Sequence, residues 1–289
     1  MTDTIAIVTG GLRGLGRAMT LGLLAQGHRV TAVGHIREDT DEMRVLASAG
    51  AGSGADRLLP LVADLRRPAE CDRVFAESRR RFGGEPGILV NNAGLTFTFI
   101  DPTRFRRDKP QRFWECGDDI IQAVMDTNYV AADQMARRAV PLMLRAGWGR
   151  VVNVTTKLDT MNRAGSSPYG CSKAALEMAT EIWAKELVGT GVTVNIVNPG
   201  AGANTPGMAA EMRARSAAGA VPRLVEPDDM VAPLLFVVSR AADRVNGFRF
   251  DANNWDSDHD PKTLTRPAGT RPAGFVLHPE GGWAATEPG

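Results

Sequence analysis

Tyr169 and Lys173 stand four residues apart in the run YGCSK, and Tyr169 is one of only two tyrosines in a chain of 289 residues. A phenol can give or take a proton, but its unperturbed pKa is about 10, and general acid–base work is most efficient near the operating pH. A cation about 4 Å away, at an effective dielectric near 20, stabilises the phenolate by about 4 kcal/mol. That corresponds to roughly three pKa units, the scale of shift such work needs. Four-residue spacing on a helix puts both side chains on one face. Ser167 or Ser166 could cap that helix, Pro168 suits its first turn, and the helix N-terminus adds positive potential close to Tyr169. Thirteen residues before the tyrosine stands Thr156, preceded by Thr155, each offering a hydroxyl donor.

Strands and helices must hold these groups. Short β-branched runs at 5–10, 29–33, 58–65, 88–94, 150–156 and 192–200 read as strands, and 247–253 as a seventh. Most are apolar on both faces, which predicts a parallel sheet covered by helices on each side. Helical patterns fall between them at 14–28, 69–82, 121–147 and 172–191, the last stopped by glycines. Alternating β and α elements predict right-handed crossovers and an α/β doubly wound sheet. No Pro/Gly-rich linker divides residues 1–252, which read as a single domain. Two segments stand outside the alternation: an aromatic- and Arg-rich connection at 96–115 and a C-terminal extension at 253–289.

Bulk properties narrow the partners. A net charge of +1 creates no overall field for nucleic acid or an anionic membrane, so neither is expected as a partner. Arg-rich pieces at 78–82 and 104–109 read as solvated faces. Three cysteines without paired spacing suggest a reducing compartment, and no run approaches the roughly 18 apolar residues of a membrane span. The first strand begins too early to leave room for a signal peptide, and a cytoplasmic location is expected. Asp256, Asp258, His259 and Asp260 form an acidic turn with no second cluster to make it a metal site, so no metal is expected.

The first strand runs into TGGLRGLG, with glycines at 10, 14 and 16 opening a helix. Such a turn lets the backbone approach a pyrophosphate, while the helix N-terminus offers unpaired N–H groups and partial positive charge. In chain order there follow NNAG (91–94), YGCSK (169–173) and NPG (198–200). Together these four motifs resemble the single-domain branch of the short-chain dehydrogenase/reductase family over roughly residues 5–252. The resemblance implies a Rossmann-type, doubly wound, parallel seven-stranded sheet of order 3-2-1-4-5-6-7 with helices on both faces. It implies an NAD(P)-dependent oxidoreductase interconverting a secondary alcohol and a ketone by hydride transfer, with Tyr169 as general acid/base.

The same resemblance implies the site residues. Thr9, Gly10, Leu12, Arg13, Gly14, Leu15 and Gly16 would form the phosphate turn, and Asp64 with Leu65 would hold the adenine. Asn91, Asn92, Ala93 and Gly94 would line the cofactor bed, and Pro199 and Gly200 would face the nicotinamide. Thr205 comes one position later than the family threonine that touches the cofactor amide. Lys173 would also hydrogen-bond the nicotinamide ribose, and Asn128 would hold a water in a proton relay to that lysine. The family's remaining catalytic group is a serine thirteen residues before the tyrosine; Thr156 stands there, with Thr155 or Ser166 as possible substitutes. Threonine keeps the donor but adds a methyl and a stiff χ1.

Cofactor choice turns on the end of the second strand, where an acidic residue would accept hydrogen bonds from a ribose 2′-OH and repel a 2′-phosphate. Gly34 stands there, followed by His35 and Arg37, with Arg13 inside the glycine turn. NADP(H) is therefore favoured, with NAD(H) possible. The segment 200–225 reads as a lid over a small-molecule carbonyl or alcohol, and Phe97, Phe99, Phe105, Phe113 and Trp114 could wall that substrate or pack elsewhere. The extension would pack on the body or on a neighbouring subunit of a homo-tetramer or homo-dimer. A non-catalytic dinucleotide-binding sensor or scaffold is the alternative, with Thr156 as its one support.

Overall fold

Central strands buried on both faces organise the molecule. The computed structural model describes residues 3–49, 54–106 and 109–255, together with the backbone of Arg271 and Pro272. Seven parallel strands, β1 (Ile5–Thr9), β2 (Arg29–Gly34), β3 (Leu58–Val62), β4 (Ile88–Asn91), β5 (Gly149–Asn153), β6 (Val192–Asn198) and β7 (Phe248–Asp251), pair in the order 3-2-1-4-5-6-7. A two-residue strand, β8 (Arg271–Pro272), adds antiparallel to β7 and is the one strand that sequence periodicity does not suggest. The strands carry β-branched and aliphatic residues on both faces. Ala6, Val8, Val90 and Val152 enter one core, and Ile7, Leu89 and Val151 enter the other.

Helices cover each face. The first core is closed by α1 (Gly14–Ala25) and α2 (Glu38–Ala49), whose Met19, Leu23 and Met43 are fully buried. The opposite core is closed by α3 (Pro68–Phe82), which ends at Gly83 with φ 69°. After β4 the 96–115 connection holds only a single turn, α4 (Phe97–Ile100), and short 3-10 turns at Arg104–Arg106 and Phe113–Glu115. The helix expected at 121–147 is divided. It comprises α5 (Asp118–Met125), a π-helical turn over Asp126–Val130, and α6 (Ala131–Ala146).

Beyond β5 come α7 (Leu158–Met161) and α8 (Tyr169–Glu186), then α9 (Ala210–Ala217) and α10 (Val231–Val238). The expected serine cap of α8 is corrected. Pro168 occupies the N-cap with no side-chain bond, while the Ser166 hydroxyl donates back to the Thr160 carbonyl. The stop is also shifted: Leu187 caps the helix, and Gly189 and Gly191 shape the turn beyond it. In-register pairing, with Asn91 opposite Asn153, aligns the carboxyl ends of β4 and β5 along one edge. In open α/β sheets that edge is where ligands bind. Trp255 packs on Phe236 and Phe250; residues 256–289 of the extension, with the acidic turn, lie outside the described residues apart from the β8 backbone.

Candidate active site

The turn after β1 is closed by backbone contact. Gly10 has φ 62°, and a Cβ there would lie 2.9 Å from Ala93 Cα. The Thr9 hydroxyl accepts from the Asn92 and Ala93 amides at 2.9 and 3.0 Å, and Asn92 Nδ2 donates back to the Thr9 carbonyl at 2.9 Å. A Cβ on Gly16 would stand 2.1 Å from the Gly10 carbonyl oxygen, so α1 rests directly on the turn. Thr9 and Gly16 thus sit behind the wall and shape it, while Gly10, Leu12, Arg13, Gly14 and Leu15 line the groove. The N-terminus of a 12-residue helix opening from this turn suits an anion.

The groove continues along the strand ends as two adjoining cavities of about 460 and 480 Å³ that share Gly10, Gly34, His35 and Ala93. Asp64 and Leu65 lie at the far end. Asp64 is chelated by Arg66 through two 2.8 Å bonds, and that pairing holds its carboxyl below the usual range. At Gly34 a Cβ would meet Leu12 Cδ1 at 2.7 Å, so Leu12 fills the space beside the strand end. Arg13 and His35 line the groove; Arg37 is exposed and lies off it. Asp39 also lines it, 3.9 Å from Arg13. Ala63 and Arg66 flank residues already singled out from the sequence. Thr127 had no sequence signal, because the π-helical turn brings it in, and Phe99, expected as a possible substrate wall, is carried into this groove by the irregular connection.

A third cavity, of about 480 Å³, joins this groove at Leu15, Asn92, Gly94 and Thr205 and contains Thr156, Tyr169, Lys173 and Pro199. The Thr156 side chain lies beside the Tyr169 phenol, close enough to lower its pKa. Of the alternative donors, Ser166 gives its proton to the Thr160 carbonyl, while the Thr155 hydroxyl lines the same cavity and accepts from Arg249 at 3.2 Å. Burial pushes the phenol above its ordinary pKa, and the Thr156 side chain opposes this. That direction is opposite to the one expected from a neighbouring ammonium alone. Burial also pulls Lys173 down to about 8, and its Nζ donates to the Val154 carbonyl at 2.8 Å.

Asn128 lies in the π-helical turn, a feature that often marks functional positions. Its Oδ1 accepts from the Leu95 amide at 2.7 Å, and its Nδ2 donates to the Leu95 carbonyl at 3.1 Å and to Ser172 Oγ at 2.9 Å. It lies off the cavity, but a Cβ on Gly94 would be 3.2 Å from its Oδ1 and 3.4 Å from Lys173 Nζ. Asn91 is buried behind the wall, donating to Asn153 Oδ1 at 2.9 Å. Asn153 in turn donates to Thr180 at 2.8 Å, a structural role. Gly200 is likewise behind the wall, packed against Asn253.

Two segments roof the cavity. Thr96 and Thr98 donate to the Gly207 carbonyl at 2.9 and 2.8 Å, and Arg106 pairs with Glu211 at 3.0 Å, joining the 96–115 connection to the 200–225 segment. Phe97 lies with its ring centroid 4.6 Å from that of Tyr169, and Phe105 also lines the cavity. Phe99 lines the groove above the glycine turn, whereas Phe113 and Trp114 pair edge-to-face at 67% and 69% exposure. Among the described residues, no cluster of three or more His, Cys, Asp or Glu is placed to hold a metal, and no helix is long and apolar enough to cross a membrane.

Known proteins share this architecture and motif order. Residues 4–216 match the model of the short chain dehydrogenase family. A short-chain type dehydrogenase/reductase of Picea abies is 30% identical over 250 residues, covering 84% of this chain and 88% of its own. The chloroplastic NADPH-dependent aldehyde reductase 2 of Arabidopsis thaliana is 29% identical over 265 residues, 88% of this chain and 93% of its own. Among solved structures, that of a proposed gluconate dehydrogenase from Agrobacterium tumefaciens superposes with a TM-score of 0.71 at 27% identity, covering 86% of this chain and 94% of that one. The chain belongs to the short-chain dehydrogenase/reductase family of oxidoreductases that use NAD(P)(H).

Proposed function

We propose that the protein is an NADP(H)-preferring enzyme that interconverts a secondary alcohol and a ketone, with Tyr169 as general acid/base. The observation that carries this reading is the meeting of Thr156, Tyr169 and Lys173 in one cavity that opens into the groove above the glycine turn. A nicotinamide bound along that groove would supply or accept the hydride. In the reducing direction Tyr169 gives its phenolic proton to the substrate oxygen as negative charge develops there. Thr156 donates a hydrogen bond to the same oxygen, and such a preorganised donor is worth about 3 kcal/mol in acyl-transfer enzymes. Lys173 replaces the phenolic proton, with Asn128 holding the Leu95 backbone close to the lysine.

NADP(H) preference is supported by the absence of a carboxylate at 34, where Leu12 occupies the space, and by Arg13 and His35 on the groove wall. Asp39 is the opposing charge; a 2′-phosphate would compete with it for Arg13. The Arabidopsis relative is NADPH-dependent by name. Ile182 and Val188, at 47% and 74% exposure along and just beyond α8, favour a homo-oligomer built through that helix.

Paired titrations with NADPH and NADH, following the fluorescence of the reduced nicotinamide, test the cofactor assignment. Tighter NADPH binding that Arg13→Ala weakens more than NADH binding supports it; equal losses would overturn it. Tyr169→Phe tests the chemistry. It should retain cofactor affinity and lose about 100-fold or more in turnover.

A further inference from the structure

The cavity that holds Tyr169 has a one-sided charge. Its charged lining residues are Lys173, Arg163 and Arg223, with no aspartate or glutamate among them. Lys173 is buried and donates to Val154. The other two come from separate parts of the chain, Arg163 between α7 and α8 and Arg223 between α9 and α10, and both are exposed. Neither side chain makes an ion pair or hydrogen bond among the described residues. The remaining wall is largely apolar, with Phe105, Met208, Met212 and Leu224.

A third guanidinium reinforces the pattern. Arg104 stacks 4.0 Å over the Phe97 ring, whose other neighbour is Tyr169, and donates to the Gly165 carbonyl. Its pKa is lowered by burial first and by the charge of Arg163 second, with Asp101 offsetting part of this. Like charges held close together cost free energy that an arriving anion recovers. A planar guanidinium matches carboxylate and phosphate oxygens with paired hydrogen bonds.

Resting on the hydride-transfer reading above, we infer that the substrate is a ketone or alcohol bearing an oxyanion, carboxylate or phosphate, which Arg163 and Arg223 grip at the open side of the cavity. The apolar wall takes the carbon skeleton, and Thr156 and Tyr169 take the reacting oxygen.

The test uses the full chain with saturating NADPH and two matched probe pairs: levulinate with methyl levulinate, and dihydroxyacetone phosphate with dihydroxyacetone. Half-saturation is read twice, by thermal shift and by NADPH consumption. The anionic member of at least one pair should saturate at a concentration about tenfold or more below its neutral partner, the scale of one charged hydrogen bond. The pair that shows the gap distinguishes carboxylate from phosphate. In an Arg163→Gln/Arg223→Gln double variant the gap should close, with the larger loss on the anion. Both positions are exposed, so the substitutions spare the two cores. Equal saturation within both pairs, or a gap that survives in the double variant, overturns the assignment. A gap in thermal shift without NADPH consumption by any probe keeps the arginine assignment and removes the hydride-transfer reading. NADPH consumption without a gap does the reverse.

Discussion

Thr156 differs from serine by one methyl, and that methyl stiffens χ1 in a residue already 7% exposed and set beside the phenol. If the hydroxyl is what matters, Thr156→Ser should keep kcat/KM within about threefold, whereas the nearly isosteric Thr156→Val should lose about 100-fold or more. NADPH affinity should be unchanged in both variants. An active valine variant would remove Thr156 from the reaction. Lys173 gives a pH prediction. Its folded pKa is about 8 against an ordinary 10.5, so between these values the unfolded chain holds a proton that the folded chain has released. Stability therefore rises with pH through that window. Below it, both states are charged and the folded one bears the cost of burial. Lys173→Met should be more stable than wild type at pH 7 by up to about 3 kcal/mol, and the two should converge near pH 10.5. Urea unfolding at both ends of the window checks this, and a constant difference would mean that the ammonium is solvated.

At the scale of elements, α8 aligns Tyr169, Lys173 and Glu177 at four-residue intervals. Glu177 pairs with Arg249 of β7 at 2.7 Å, each 1% exposed. Arg249 also donates to the Thr156 carbonyl at 2.6 Å and lies 3.3 Å from Asp251. One buried guanidinium thus ties the helix carrying Tyr169 and Lys173, the end of β5 and the last parallel strand together. Removing one partner of a buried pair leaves the other uncompensated, so Glu177→Gln should lower unfolding stability by about 3 kcal/mol. It should also lower kcat more than it raises KM for the ketone, since it loosens the residues around Thr156 without touching the cavity. A variant with wild-type urea midpoint and kcat would show that Asp251 suffices for Arg249. The sequence marked neither member of this pair: an arginine in an edge-strand pattern and a glutamate in a helix both read as solvent-facing until β7 is laid against β6.

At the scale of the whole molecule, the groove draws its wall from β1, β2, β3 and β4 and from the segments that follow β4 and β6. A ligand that bridges these parts binds only the folded chain. NADPH at about 100 times its dissociation constant should therefore add about 2.7 kcal/mol of stability. For a chain of this length that raises the melting temperature by about 4–5 °C. Arg13→Ala should need proportionately more NADPH for the same shift. No shift with either reduced nicotinamide would contradict dinucleotide binding in this groove.

The sheet order was implied by the family that the four ordered motifs resemble, whereas strand periodicity, the glycine turn and the Tyr–Lys spacing lie in local sequence, which sufficed for the seven strands and for the helix carrying Tyr169 and Lys173. These follow from burial patterns and backbone sterics within a few residues of each other. What tertiary structure decided was how side chains from distant segments share space. It committed the Ser166 hydroxyl to the Thr160 carbonyl and set Thr155 and Thr156 together on the cavity wall, with Arg249 donating to the Thr155 hydroxyl. It put Thr9, Gly16, Asn91 and Gly200 behind the groove wall rather than on it, and it divided a continuous helical pattern by a π-helical turn at Asn128. It raised the phenol instead of lowering it, because desolvation is set by the packing of Phe97 and the roof segments and not by spacing along a helix. Arg163 and Arg223 lie sixty residues apart in the chain, and only the folded chain brings them to one cavity.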